Sequence, residues 1–108
     1  MSVEDNDYID AVAIDVDGKT LIMLLSDHLG WEDGFEFDHL DILQEKLRAY
    51  ARFVQSEQYK DIYPGVEFTN FRIKIRFLYE MSENCIKYID VARKQLNELS
   101  IEITTEIA

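Results

Sequence analysis

Phe71-Arg72-Ile73-Lys74-Ile75-Arg76-Phe77 is the stretch that decides the fold. Apolar and basic residues alternate without a break, which places Phe71, Ile73, Ile75 and Phe77 on one face of an extended chain and Arg72, Lys74 and Arg76 on the other. The pattern runs from Phe68 to Tyr79 and predicts a strand with one buried face. A buried strand face requires a second layer, and the flanking residues supply it.

On the C-terminal side, Cys85, Ile89, Ala92, Leu96 and Leu99 recur at intervals of three and four behind Ser82, predicting a helix capped by that serine. Ile101 to Ile107 then reads as a strand, with Ile101, Ile103 and Ile107 inward and Glu102, Thr104 and Glu106 outward. On the N-terminal side, Pro64-Gly65 marks a turn. Before it, Leu40, Leu43, Leu47, Tyr50 and Val54 form the apolar stripe of a helix that Asp38 is placed to cap. Glu45, Lys46, Arg48 and Arg52 read as that helix's solvated face. Tyr8 to Val16 and Lys19 to Ser26 read as two strands of a hairpin turning at Asp17-Gly18. Both are apolar on two faces, so a cover is expected on each side.

The order is ββαβαβ, an α+β class. Two helices with one apolar stripe each pack most economically on one face of a four-stranded sheet, giving a two-layer sandwich over a single domain, residues 1–108. A right-handed crossover through the second helix lays the last strand parallel to the third.

The chain has 108 residues, 22 Asp and Glu against 11 Lys and Arg, and a formal charge of -11. Twelve acids and a single base, Lys19, lie in the first 41 residues; the remaining 67 hold ten of each sign. The imbalance therefore belongs to one region and speaks of partners rather than of fold. Phosphate backbones are repelled, which argues against nucleic acid. At 47% hydrophobic and 12% aromatic the composition is too rich for a disordered acidic tail. The lone Cys85 removes the disulfide-scaffold reading and, on an apolar stripe without a neighbouring base, is expected to be a buried inert thiol. The start of the chain shows no signal-peptide pattern and no apolar run approaches the about 20 residues of a membrane span, so the expectation is a cytoplasmic protein off the membrane.

Basic side chains at 72, 74 and 76 invite a phosphate site. Glu102 and Glu106 share their period, so a cross-strand ladder of opposite charges accounts for them without a ligand.

The segment from Asp27 to Asp41 gathers both histidines, the only tryptophan, two phenylalanines and six acids around two glycines. One reading is a divalent-metal site, or a metal-dependent hydrolase, built on Asp27, His28 and His39, since carboxylate and imidazole together suit such a cation. The spacing matches no EF-hand loop, and there is no His-x-x-x-His or Cys-x-x-Cys pair. The other reading is an interaction surface of Trp31, Glu32, Asp33, Phe35 and Glu36, an aromatic centre with a charged rim. In it Phe35 is the exposed anchor; alternatively Trp31, Phe35 and Phe37 fold inward to close the end of the sandwich, with His28 hydrogen-bonded near the end of the second strand and Asp27 or Asp38 capping the helix. There is no glycine-rich phosphate loop, nucleophile elbow or paired-carboxylate motif, and neither a catalytic residue nor a cofactor is assigned.

Asp27-His28-Leu29 with Trp31, Leu43-Gln44-Glu45-Lys46 with Tyr50 and Phe53, and Tyr63-Pro64 resemble a family of small bacterial proteins of unknown function, over nearly the whole chain. Its members tend to carry Asn at the position of Arg48 and Gly near Glu57. The resemblance implies a bacterial, cytoplasmic α+β protein and supplies no activity. It marks Asp27, His28, Trp31, His39, Gln44 and Tyr50 as motif residues, an architectural joint between strand, loop and helix or the frame of a pocket. The expected function is a non-catalytic domain that binds a basic protein, as an antitoxin or immunity factor would. Homodimerisation through an uncovered sheet face or an edge strand is also expected.

Overall fold

The computed structural model describes residues 9–32 and 34–108. Its elements are β1 (Ala11–Ile14), β2 (Thr20–Asp27), α1 (Glu36–Gln55), α2 (Tyr59–Ile62), β3 (Asn70–Phe77), α3 (Glu83–Asn97) and β4 (Ile101–Ile107). The sheet order is β1-β2-β3-β4, with β1 antiparallel to β2 and the other two pairings parallel. This is the expected α+β arrangement with one added helical turn, α2.

Period-two alternation sorts the core. Leu21, Met23 and Leu25 of β2, Phe71, Ile73, Ile75 and Phe77 of β3, and Ile101 and Ile103 of β4 are buried on one face. The buried stripes of α1 and α3 join them in one cluster, through Leu43, Leu47, Tyr50, Phe53 and Val54 from α1 and Cys85, Ile89 and Ala92 from α3. Each side chain so buried contributes about 1.5–3 kcal/mol, and the layer pairing follows from that term. Tyr59 of α2 sits among Phe53, Phe68 and Phe71, with ring centroids 5.2–6.4 Å away, and closes the sandwich where the parallel strands begin.

On the other face the charged rows meet as expected. Arg72 bonds Asp15 and Glu102, each at 3.2 Å, and Lys74 lies 3.5 Å from Glu106. The cover expected over the hairpin's second face is absent among the described residues. Ile22 and Leu24 are only half-buried there, flanked by Ala11 and Ala13 on β1 and by Arg72 and Lys74 on β3. Neighbours within the sheet shield them in part.

Several boundaries move. The first strand shortens to Ala11–Ile14; the exposed Val16 belongs to the turn, and Tyr8 lies outside the described residues. Helix α1 starts at Glu36, with Phe35 at the N-cap position and no side-chain cap, so Asp38 occupies the first turn instead of capping. Carboxylates in a first turn still favour the helix through its dipole. Ser82 caps α3 as expected, its Oγ accepting the Cys85 amide at 3.1 Å. Ile107 is half-exposed rather than inward because the strand ends there.

Glu57, just past the C-cap of α1, has φ 61°, and its N–H bonds the Val54 carbonyl at 3.1 Å. That left-handed position favours glycine, since a Cβ costs about 1–2 kcal/mol there. Glu57→Gly should raise stability by about 1 kcal/mol, measured as an upward shift in the urea midpoint; a fall would contradict the strain assigned to this position.

Candidate functional site

The C-terminal end of β2 carries Asp27, whose carboxylate is buried. Four residues ahead of Leu43 on the buried stripe of α1 stands His39, itself fully buried. Its Nε2 lies 2.6 and 2.8 Å from the two oxygens of Asp27, and its Nδ1 lies 2.8 Å from the carbonyl oxygen of Gly30. Every neighbour of the ring nitrogens is therefore an oxygen. Nδ1–H donates to the carbonyl, and a second proton bridges Nε2 and the carboxylate. The pair as a whole is neutral, which is how two titratable groups tolerate this depth.

Trp31 covers the pair. Its ring stacks on His39 at 3.5 Å between centroids and 15° between planes, and its centroid lies 6.3 Å from that of Phe77 with the rings tilted by 48°. The Trp31 Nε1–H is buried with no acceptor among the described residues. Asp27 also folds the chain locally, because one oxygen accepts the Leu29 amide at 3.0 Å and turns the loop toward the helix.

A second buried polar joint lies further along α1. Lys46, expected on the solvated face, is fully buried, with Nζ 3.5 Å from Oδ1 of Asp10. The other Asp10 oxygen accepts the Ser26 amide at 2.7 Å. Tyr50 accepts the Asp10 amide at 3.1 Å and donates to the Leu24 carbonyl. Burial first, and then the charge of Asp10, push the Tyr50 hydroxyl above its ordinary range against a lowering hydrogen bond from the Asp10 backbone.

At the N-terminal ends of α1 and α3, Glu36 reaches across to the Ser82 hydroxyl and to Asn84 Nδ2, the latter at 3.1 Å. Those two donors, Ser82 first, hold its carboxyl below the ordinary glutamate value. Cys85 is buried beneath; burial first, then the charges of Asp27 and Glu36, push its thiol up to about 12. An inert thiol is what that environment produces.

Of the residues singled out in the sequence, the structure brings together Asp27, His39 and Trp31, and separately Tyr50 with Asp10 and Lys46. His28 is exposed and outside the Asp27–His39 pair. A metal ion between Asp27 and His39 would displace the Nε2 proton, and no group of three or more His, Cys, Asp or Glu is arranged for a metal among the described residues. Gln44 is half-exposed beside a hollow of about 200 Å³ between α1 and α3, shared with Arg48, Tyr88 and Gln95. Phe35 is 36% exposed, while Phe37, expected among the rings that fold inward, is 70% exposed and is the more prominent ring, because the first turn of α1 directs it outward. Glu32 is exposed, and Asp33 lies outside the described residues. The sequence alone singles out neither Asp10 nor Lys46 as a member of this buried joint. A signal existed for Lys46: His39, Leu43, Lys46, Tyr50 and Phe53 follow one another at four, three, four and three.

Fold and site together define a two-layer α+β domain whose sheet and first helix are joined through buried polar pairs. The model of a family of unknown function, DUF6572, matches residues 1–108, and the chain belongs to that family. Neither a curated protein nor a solved structure matches it. No helix among the described residues is long and apolar enough to cross a membrane.

Removing one partner of the buried pair leaves the other uncompensated. Asp27→Ala and His39→Ala should each cost about 3–5 kcal/mol by urea unfolding, and the double variant clearly less than their sum; additive losses would show that the two groups do not interact. Alkaline pH tests the buried hydroxyls and thiol. Cys85 and Tyr88 are both pushed up to about 12, chiefly by burial, so the unfolded chain loses these protons first. Stability should therefore fall as pH rises from about 9 to about 12, and Tyr88→Phe should flatten the upper part of that decline in a series of urea melts.

Proposed function

We propose that this chain is a non-catalytic binding domain that docks a basic protein through the N-terminal end of α1. The observation carrying this reading is Phe37, 70% exposed on the first turn, with the exposed acids Asp38 and Asp41 beside it. Residues 37 and 41 are four apart and share a stripe of the helix. Phe35 and Glu32 extend the patch toward the loop. An exposed ring ringed by carboxylates offers an apolar anchor inside a charged rim, the anatomy of a protein interface.

Trp31 and His39 serve this surface from below. Trp31 turns inward to stack on His39, and the hydrogen bonds of His39 to Gly30 and Asp27 hold both ends of the loop. The anchor is thereby presented without a large ordering cost at binding. The confinement of the net charge to the first 41 residues adds long-range attraction for a cationic partner. An antitoxin or immunity factor opposing a basic toxin is one role such a surface suits.

The test uses a partner captured on the immobilised chain at low salt. Its affinity should fall about tenfold or more between about 50 and about 300 mM salt, and Phe37→Ala should weaken it by a similar factor without lowering the melting temperature. Affinity that ignores both salt and the combined Glu32→Gln, Asp38→Asn and Asp41→Asn changes would overturn the reading.

A further inference from the structure

We propose, from a surface independent of the α1 patch, that β4 is a pairing edge for a second copy of this chain, antiparallel about a two-fold axis at Ile103. The direction of the β4 backbone groups is fixed by its neighbours. The Phe71 amide bonds the Ser100 carbonyl at 3.0 Å, and the Ala108 amide bonds the Phe77 carbonyl at 2.7 Å. Even-numbered residues therefore turn their backbone groups toward β3, and Ile101, Ile103, Thr105 and Ile107 turn theirs to the open side. The Ile103 carbonyl confirms the parity, since Arg93 Nε reaches it there at 3.2 Å. An edge of seven residues with this many outward N–H and C=O groups is a ready template for another strand.

Three features select a second copy running antiparallel. A two-fold axis at Ile103 places Glu102 opposite Thr104 of the second copy, whereas an axis at Thr104 would set Glu102 against Glu106, like charge on like. The same register brings Ile107 toward the second copy's Leu99, joining two apolar side chains that are 47% and 36% exposed. The flank of α3 is also self-complementary. Asp90 and Arg93 lie one turn apart beside the edge, 3.3 Å from each other, and an antiparallel copy of the helix sets Asp90 against Arg93 in both directions. Arg93 covers the Ile103 carbonyl in the single chain. On pairing it hands that carbonyl to the Ile103 amide of the second copy and turns to the second copy's Asp90.

Light scattering at about 100 μM chain should give twice the 12.7 kDa mass. Thr105→Pro removes an N–H that points away from β3, so it should give a monomer with unchanged far-UV circular dichroism. Asp90→Arg and Arg93→Asp should each weaken the dimer about tenfold or more, and the double charge swap should restore it. A wild-type monomer at this concentration would overturn the proposal. So would a dimer that survives Thr105→Pro, or a charge swap that leaves the chain monomeric.

Discussion

The contact between His39 and Asp27 is the constraint on which the upper end of this molecule depends. Burying a carboxylate or an imidazolium alone would cost several kcal/mol, so each group can occupy its place only because the other is there. That requirement fixes three things at once. The last residue of β2 must meet the first turns of α1, the loop between must return its Gly30 carbonyl to the same ring, and Trp31 must lie flat over the result. Deeper in the sandwich, Lys46, Asp10 and Tyr50 repeat the device by joining α1 to the start of β1 and to β2. Helix α1 is thus seated by polar pairs at defined positions as well as by its leucines. Apolar packing alone would tolerate small slips of the helix along the sheet, whereas these pairs do not.

The two ends of the sandwich are closed by different chemistry. Where the parallel strands begin, Phe68 meets Tyr59 of α2 edge to face and Phe71 of β3 meets it at a tilt. Where they end, the closure is the hydrogen-bonded group beneath Trp31, with Glu36 linking the N-terminal turns of α1 and α3. The acidic residues of the N-terminal region therefore divide into two populations. Among the described ones, Asp10 and Asp27 have buried partners, and Asp15, Asp17 and Glu36 bond other residues nearer the surface, while Glu32, Asp38 and Asp41 are exposed near Phe37.

Much of this architecture was legible. The alternation at 71–77 located β3 and its charged ladder, and the stripe from Cys85 to Leu96 located α3. Both elements obey one period with the polarity their positions demand. The difficulty lay where polarity and position part company. Lys46 was assigned to solvent because it is charged, although its spacing from His39, Leu43 and Tyr50 places it on the buried stripe. Its burial depends on Asp10, which arrives from a strand outside the helix, and one-dimensional periodicity does not record such partners. Helix α2 is a single turn and too short to show a period. In the candidate site the two histidines, read together in the sequence, part according to where α1 begins. Beginning at Glu36, the helix carries His39 to its inner face and leaves His28 in the exposed loop.

The polar joints also differ in how far apart along the chain their members lie, and the differences form a series. His39 and Asp27 are separated by 12 residues, Tyr50 and Leu24 by 26, and Asp10 and Tyr50 by 40. Each closure contains the one before it, so β2 and α1 can come together in short steps, with the growing helix carrying the next donor into reach. Closing a loop already partly closed costs less entropy than closing the whole in one event. The parallel pairing of β2 with β3 joins residues 50 apart, the longest closure of the sheet, whereas β3 and β4 pair over 30, a span like those of the polar contacts. The nested spacing of the buried polar contacts thus offers the hairpin and first helix a stepwise route together, with the β2–β3 pairing the longest closure that remains.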